Sequence, residues 1–290
     1  LGTQGNVWTE YLDCPNRVWY QVLPRMTALA EVGWTDPGKK NFSDYVGRLD
    51  DHYRFWRENK IPAADKRYEL FYEIAKPPGR GIDLRLSTKA KKNTIRVYKD
   101  ENQVKDFTGT MSIKESCSIR AESAKDPANN FLEFDIQWHK AAGQIIEMGV
   151  SPDDRYKAFG PVTLCDGIQG KKDSHKEGWM GFNKKDLNFT VHFEEPETVE
   201  TIELNFYHNP NQWIHCPKVE TLRLWCDGKP LPIADIKINV EDNVHKLSIG
   251  IHAIKGKTIQ LEIPNKELIP EGLPGEGNTP WVFIDEIKVR

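Results

Sequence analysis

Cys117-Ser118-Ile119-Arg120-Ala121-Glu122-Ser123-Ala124 alternates small or apolar side chains with polar ones. Successive side chains on a strand point to opposite faces, so a period of two predicts a strand with one buried face. The same period recurs at residues 68–74, 82–87, 94–99 and 131–138. Pro77-Pro78-Gly79 and Asp100-Glu101-Asn102 separate these runs as turns. Short strands at this spacing predict a small β-sandwich over residues 68–148.

Toward the C-terminus the texture stays β over residues 149–290, with longer loops. Candidate strands are 188–193, 201–207, 219–226, 236–240, 246–251, 258–263 and 281–289. Loops 166–181, 208–217 and 264–280 carry Gly, Pro, Asn and aromatic residues. Loops at the ends of a sandwich are where binding usually resides. An indole stacks on the apolar face of a sugar ring, and Asn and His supply hydrogen bonds to its hydroxyls. The candidate glycan-binding residues are therefore Trp179, His208, Asn209, Trp213, His215 and Trp281. Trp179 and Trp281 read equally well as core. Trp213 lies in the polar stretch His208-Asn209-Pro210-Asn211-Gln212-Trp213-Ile214-His215, which favours it for contact with a sugar. His215 and Cys216 adjoin, but a metal needs more ligands than that pair.

Toward the N-terminus, residues 62–67 carry no apolar period and read as a linker. Residues 1–61 read as mostly helical. Val18, Val22, Met26, Leu29 and Ala30 fall near helical spacing, with a break or fresh start at Pro24. Asp36-Pro37-Gly38 ends that run. A further helix starts near Ser43 as N-cap and buries Tyr45, Val46, Leu49, Tyr53 and Trp56. The whole chain has 290 residues and a formal net charge of -3, which argues against a dedicated nucleic-acid binder. It contains no apolar run long enough for a membrane span. Its 5 scattered cysteines suit neither a disulfide scaffold nor a zinc ribbon.

The most informative stretch is Gly5-Asn6-Val7-Trp8-Thr9-Glu10-Tyr11. On a strand, Trp8 and Glu10 point the same way, setting an indole beside a carboxylate. That pair can stack on a pyranose and accept its hydroxyls; a core Trp beside a surface Glu is the plainer alternative. Together with Tyr20-Gln21-Val22-Leu23-Pro24-Arg25-Met26-Thr27-Ala28-Leu29-Ala30-Glu31-Val32-Gly33-Trp34, the stretch from Leu1 to Tyr11 closely resembles the end of the catalytic barrel of glycoside hydrolase family 20, the β-N-acetylhexosaminidases. The resemblance covers residues 1–61. It implies that this region is the last β/α unit of a TIM barrel. It also implies that Trp8 lies on the last barrel strand and walls the pocket of a terminal N-acetylhexosamine, and that Glu10 binds that sugar's outer hydroxyls. The implied mechanism is substrate-assisted: the acetamido oxygen attacks the anomeric carbon, while an Asp-Glu pair orients it and protonates the leaving oxygen.

No acidic neighbours in this chain stand in the context expected for that pair. A (β/α)₈ barrel needs about 250 residues, so the expectation is a C-terminal portion of a longer enzyme, inactive alone, whose remaining barrel is its partner. The resemblance further implies an exported protein of bacterial type, periplasmic or at the cell surface, acting on glycans with terminal N-acetylhexosamine.

Asn93-Thr94-Ile95-Arg96-Val97-Tyr98 suits the small β-domain that follows the barrel in many such enzymes. Leu164-Cys165-Asp166-Gly167, Gly178-Trp179-Met180-Gly181-Phe182 and Trp281-Val282-Phe283-Ile284-Asp285-Glu286-Ile287 resemble a discoidin-like domain of the factor 5/8 C-terminal type, a β jelly-roll. That resemblance implies carbohydrate binding and a structural calcium, for which Asp166, Asp173 and Glu286 are the candidates. The alternative for these acids is a turn cap and an ion pair with Lys.

Overall fold

A computed structural model describes every residue except 1, 11, 90–92 and 266. Leu1 and Tyr11, which open and close the first stretch of the family resemblance, lie outside the described residues. The chain divides into two compact units, residues 1–68 and 69–290.

Among its described residues the first unit holds three α-helices, α1 (Pro15–Val22), α2 (Arg25–Trp34) and α3 (Phe42–Glu58), and a short 3-10 helix at Pro37–Lys39. Pro24 separates α1 from α2, as its missing N–H and fixed φ require. Asn41, not Ser43, caps α3: its side chain accepts the Asp44 N–H at 3.1 Å. Tyr45, Leu49, Tyr53 and Trp56 recur at helical spacing and are buried together with Leu23. The segment read as a linker is tied to α3. Tyr53 Oη donates to the Ala64 carbonyl at 2.7 Å, and the Arg67 guanidinium lies 3.7 Å from the Tyr53 ring centre.

The strand expected at Trp8 is not formed. Among the described residues none from Gly2 to Glu10 is in a strand. A strand exists through its ladder partners, and here the segment has none to pair with. It runs instead against α2: a Cβ at position 5 would come within 2.8 Å of Leu29 Cδ2, so that side chain would have to shift. Neither α1 nor α2 carries a buried residue.

The described strand ladders of the second unit are all antiparallel, and one isolated bridge, Ile214 to Trp281, is parallel. Its strands are β1 (Leu70–Ala75), β2 (Ile82–Thr88), β3 (Ile95–Lys99), β4 (Asn102–Gln103), β5 (Thr110–Ile113), β6 (Cys117–Ser123), β7 (Phe131–Ile136), β8 (Ile145–Met148), β9 (Met180–Asn183), β10 (Leu187–Tyr207), β11 (Arg223–Cys226), β12 (Lys229–Leu231), β13 (Ile233–Glu241), β14 (Val244–Ile263) and β15 (Trp281–Val289). A sheet ordered β1-β2-β5 and a sheet ordered β4-β3-β6-β7 share one core. Tyr72 of β1 meets Phe134 of β7 edge to face at 4.9 Å.

The largest sheet has 8 strands, with β10 and β14 as its long central ribbon. Their register shifts between His192 and Glu197 and again between Val199 and Thr201. On one side of these bulges β10 pairs with β8; on the other it pairs with β15. The ribbon therefore bends and carries different partners on each arm. Phe182 of β9, on one arm, meets Phe189 of β10, on the other, at 5.9 Å, so the two arms face each other across the core. One hydrophobic cluster runs through all three sheets, and β8, at the end of the first predicted β region, belongs to the largest of them.

Candidate functional site

The aromatic end of the second unit is built where β10 ends, β14 begins and β15 begins. Asn209 and Ile214 close the 208–217 loop by a bridge, and Trp213 takes a left-handed conformation with φ 61°. Two hydrogen bonds stitch the loop to β15: Trp281 N–H donates to the Trp213 carbonyl at 2.8 Å, and His215 N–H to the Trp281 carbonyl at 3.0 Å. Trp213 is left 41% exposed and Trp281 half-buried. Tyr156 meets Trp281 edge-on at 5.3 Å, and the Arg155 guanidinium lies 5.4 Å from both rings. The His175 ring is 5.6 Å from Tyr156, and burial lowers its pKa, with Lys176 adding to the shift and Gln212 opposing it. The result is a partly exposed group of flat rings beside an imidazole, a guanidinium and an amide, which suits stacking on a sugar and bonding its hydroxyls.

Trp179 does not belong to that surface. It is 1% exposed, packs on Tyr207 at 5.5 Å, and its Nε1 donates to the Lys171 carbonyl at 2.9 Å. Its indole fits because residue 170 is glycine; a Cβ there would come 2.5 Å from the ring. His208 and Asn209 are half-buried. The His208 ring lies 4.4 Å from His245 and 5.6 Å from His215. Its Nδ1 accepts the Cys216 N–H at 3.3 Å. Burial, reinforced by the two neighbouring histidines, pushes His208 down to about 4, so the ring is neutral at pH 7. Sequence reasoning missed Arg155, Tyr156, His175 and Gln212. Their loops join Trp281 only through the fold, and no local pattern marks them.

Asp166 and Glu286 do come together, and both are buried. Burial holds both well above the usual carboxylate range, with Glu286 adding to the shift at Asp166 and Asp285 adding to the shift at Glu286. His139 Nδ1 accepts the Val289 N–H, which leaves Nε2 to donate to Glu286 Oε1 at 2.9 Å. Burial pushes His139 down to about 3, so this contact joins a neutral imidazole to the carboxyl and is no ion pair at pH 7. Two further oxygens accept from the backbone. Gly167 N–H reaches Glu286 Oε2 at 3.0 Å and Ile168 N–H reaches Asp166 Oδ1 at 2.8 Å. Asp173 is exposed.

Calcium wants six to eight oxygens, whereas this cradle presents N–H groups. Among the described residues no three His, Cys, Asp or Glu side chains form a metal-holding group. The expected trio does not fit a calcium ion here: the carboxyls secure the 166–170 loop.

Trp8 is 76% exposed and Glu10 stands exposed in a turn. Several other large apolar side chains of the first unit are exposed, including Trp19, Met26, Val32, Phe42 and Trp34, the last at 92%. No helix among the described residues is long and apolar enough to cross a membrane.

A β-hexosaminidase of Porphyromonas gingivalis is 49% identical over 51 residues, which is 18% of this chain and 7% of that protein. A β-N-acetylhexosaminidase of Cellulomonas fimi is 39% identical over 56 residues, 19% of this chain and 11% of that protein. The chain thus spans only about a tenth or less of these relatives' length. Among solved structures, a Streptococcus pneumoniae fucose binding module aligns over 52% of this chain and 96% of its own, at 13% identity and TM-score 0.33. A Clostridium perfringens module, CpGH89CBM32-4 in complex with glcNAc-alpha-1,4-galactose, aligns over 52% of this chain and 92% of its own, at 18% identity and TM-score 0.33. TM-scores this low fix no fold. Residues 1–37 of this chain match the family described as Glycosyl hydrolase family 20, catalytic domain.

Proposed function

We propose that this chain is the C-terminal portion of an exo-β-N-acetylhexosaminidase, which releases terminal N-acetylhexosamine from glycans by substrate-assisted, retaining catalysis. The observation that carries this reading is the family match over residues 1–37, which contains Trp8 and Glu10. In it, the first unit is the last β/α unit of a TIM barrel, and the exposed apolar side chains of α1 and α2 pack against the rest of that barrel. Trp8 stacks on the sugar and Glu10 accepts its outer hydroxyls. An Asp-Glu pair elsewhere in the barrel does the acid work, so residues 1–290 alone hydrolyse nothing. Such an enzyme acts in the periplasm or at the cell surface. The test is hydrolysis of a chromogenic N-acetyl-β-glucosaminide by the protein bearing a complete barrel, with and without Glu10→Gln. Equal kinetics for the two proteins would sink the site assignment.

A second reading is carried by the Trp213 and Trp281 surface: residues 69–290 include a discoidin-like jelly-roll that binds glycan without catalysis. Tryptophan fluorescence titrated with N-acetylglucosamine and galactose tests it. A saturable change lost in Trp281→Ala supports the reading, and a flat response through millimolar sugar rejects it.

A further inference from the structure

Residues 270–278, just before β15, form a lobe closed on itself. Its neck is pinched by two hydrogen bonds: Ile269 N–H donates to the Asn278 carbonyl at 2.8 Å, and Gly277 N–H to the Ile269 carbonyl at 3.0 Å. Inside, Glu276 N–H donates to the Leu273 carbonyl, Asn278 N–H to the Gly275 carbonyl and Gly272 N–H to Glu276 Oε2, each at 3.0 Å. Among the described residues, every hydrogen bond of 270–278 ends within 269–278. The feet of the lobe are fixed. Ile269 is buried, and Asn183 Nδ2 donates to the Thr279 and Pro280 carbonyls at 3.1 Å each. A segment bonded internally and held at its neck can swing as one body without losing a hydrogen bond to the rest of the fold.

Residues 270–274 and 276–278 are exposed, whereas Gly275 is half-buried. Trp213 lies against it. A Cβ on Gly275 would come 2.4 Å from Trp213 Cε2 and 2.6 Å from both Cδ2 and Nε1. Three adjoining ring atoms at nearly equal distance place Gly275 over the face of the indole and not at its edge. Glycine suits this position twice over, because φ is +84° and a side chain would meet the ring. Of the two partners, Trp213 has the fixed backbone: its carbonyl accepts the Trp281 N–H at 2.8 Å, and the Asn209 to Ile214 bridge encloses it. One stacking face of Trp213 is thus occupied by its own chain, while the residue stays 41% exposed.

We propose that residues 270–278 form a flap that swings as one body and, when closed, keeps one face of Trp213 from stacking on a ligand ring. The flap's role rests on the reading of the Trp213 and Trp281 surface as a glycan-binding site; its motion rests on the bonding pattern alone. Gly275 and a stacked ring compete for the same position, so lifting the flap frees a second face of the indole.

The test compares Gly275→Ala with Gly272→Ala in the full chain. Both replace a glycine of positive φ, but a Cβ at 272 meets nothing within 4 Å, whereas one at 275 meets the indole. The variants share backbone strain and differ in the clash. The readout is the Trp213 indole N–H signal in nuclear magnetic resonance, identified by its loss in Trp213→Phe, in the presence of a soluble gadolinium chelate. The expected result is a greater paramagnetic loss of that signal in Gly275→Ala than in the wild type, with Gly272→Ala matching the wild type. Deletion of residues 271–276 removes the flap outright and should reproduce the effect of Gly275→Ala. An unchanged signal in both Gly275→Ala and the deletion, or equal losses in Gly275→Ala and Gly272→Ala, would overturn the proposal. Titration with N-acetylglucosamine and galactose then tests the role. A lower Kd in Gly275→Ala than in the wild type is expected, and a higher one would overturn the covering role. A flat response in every protein would reject the glycan-binding reading, and the gadolinium result alone would decide whether the flap moves.

Discussion

Asp285 sits fully buried at the centre of β15, and burial pushes its carboxyl up to about 7. Oδ2 accepts the Gly170 N–H at 2.8 Å. The Asn205 amide nearby opposes the shift, although neither Asp285 Oδ1 nor Asn205 Nδ2 reaches hydrogen-bonding geometry. A carboxyl raised on folding stabilises the fold below its unfolded pKa near 4, and that contribution disappears as pH rises through about 7. Asp285→Asn should therefore raise the melting temperature at pH 8 more than at pH 4; thermal melts at both would show it, and an equal change at both would refute it. His139 has the opposite sign. Held down to about 3, it contributes above its unfolded value near 6.5 and loses that contribution as pH falls toward 3. Gly143 is a different kind of constraint. It has φ +65°, and a Cβ would come 2.5 Å from Gly81 N. Gly143→Ala should cost more than about 1 kcal/mol by strain plus overpacking, read from urea unfolding; a neutral result would mean that the 81 and 143 segments can part. Some of the aromatic surface was legible residue by residue: Trp213 stands in a polar loop that announces exposure. Trp179 was ambiguous because a Trp between glycines reads alike as platform or as core.

At the scale of elements, α3 was the most legible, since Tyr45, Leu49, Tyr53 and Trp56 form one stripe whatever surrounds them. Its start was not, because Asn41 and Ser43 are both good caps and the side-chain geometry chose the former. Asn41→Ala should destabilise the first unit by about 1 kcal/mol, measurable by helical circular dichroism under urea; no change would transfer the capping role to Ser43. The long strands β10 and β14 were each read as two. The interruption in β10 is Glu194-Glu195-Pro196-Glu197, a polar stretch at the bend with its first three residues exposed. Bulges carry the strand through it, and no local pattern separates a bulge from a turn. Short β4, β5, β8, β9 and β12 were missed because pairing partners, and not their own alternation, make them strands.

On the scale of the whole molecule, the boundary near residue 68 was readable as the place where the period changes from 3.6 to two. The continuity of the core across residues 69–290 was not, since sheets merge through tertiary contacts. The carboxyl pair at Asp166 and Glu286 predicts that calcium and EDTA leave the melting temperature of the second unit unchanged. A calcium-dependent rise of several degrees would contradict that account. The first unit leaves Trp8, Trp34, Phe42 and Met26 in solvent, and we propose that they meet the rest of a barrel. The most direct measurement of that claim is kcat/KM on a chromogenic N-acetyl-β-glucosaminide for the protein with a complete barrel, before and after Glu10→Gln. Loss of a hydrogen bond to a charged acceptor, worth about 1.5–3 kcal/mol, predicts a fall of roughly ten- to a hundredfold. An unchanged kcat/KM would contradict the placement of Glu10 in a sugar pocket and, with it, the reading of residues 1–61 as the end of a catalytic barrel.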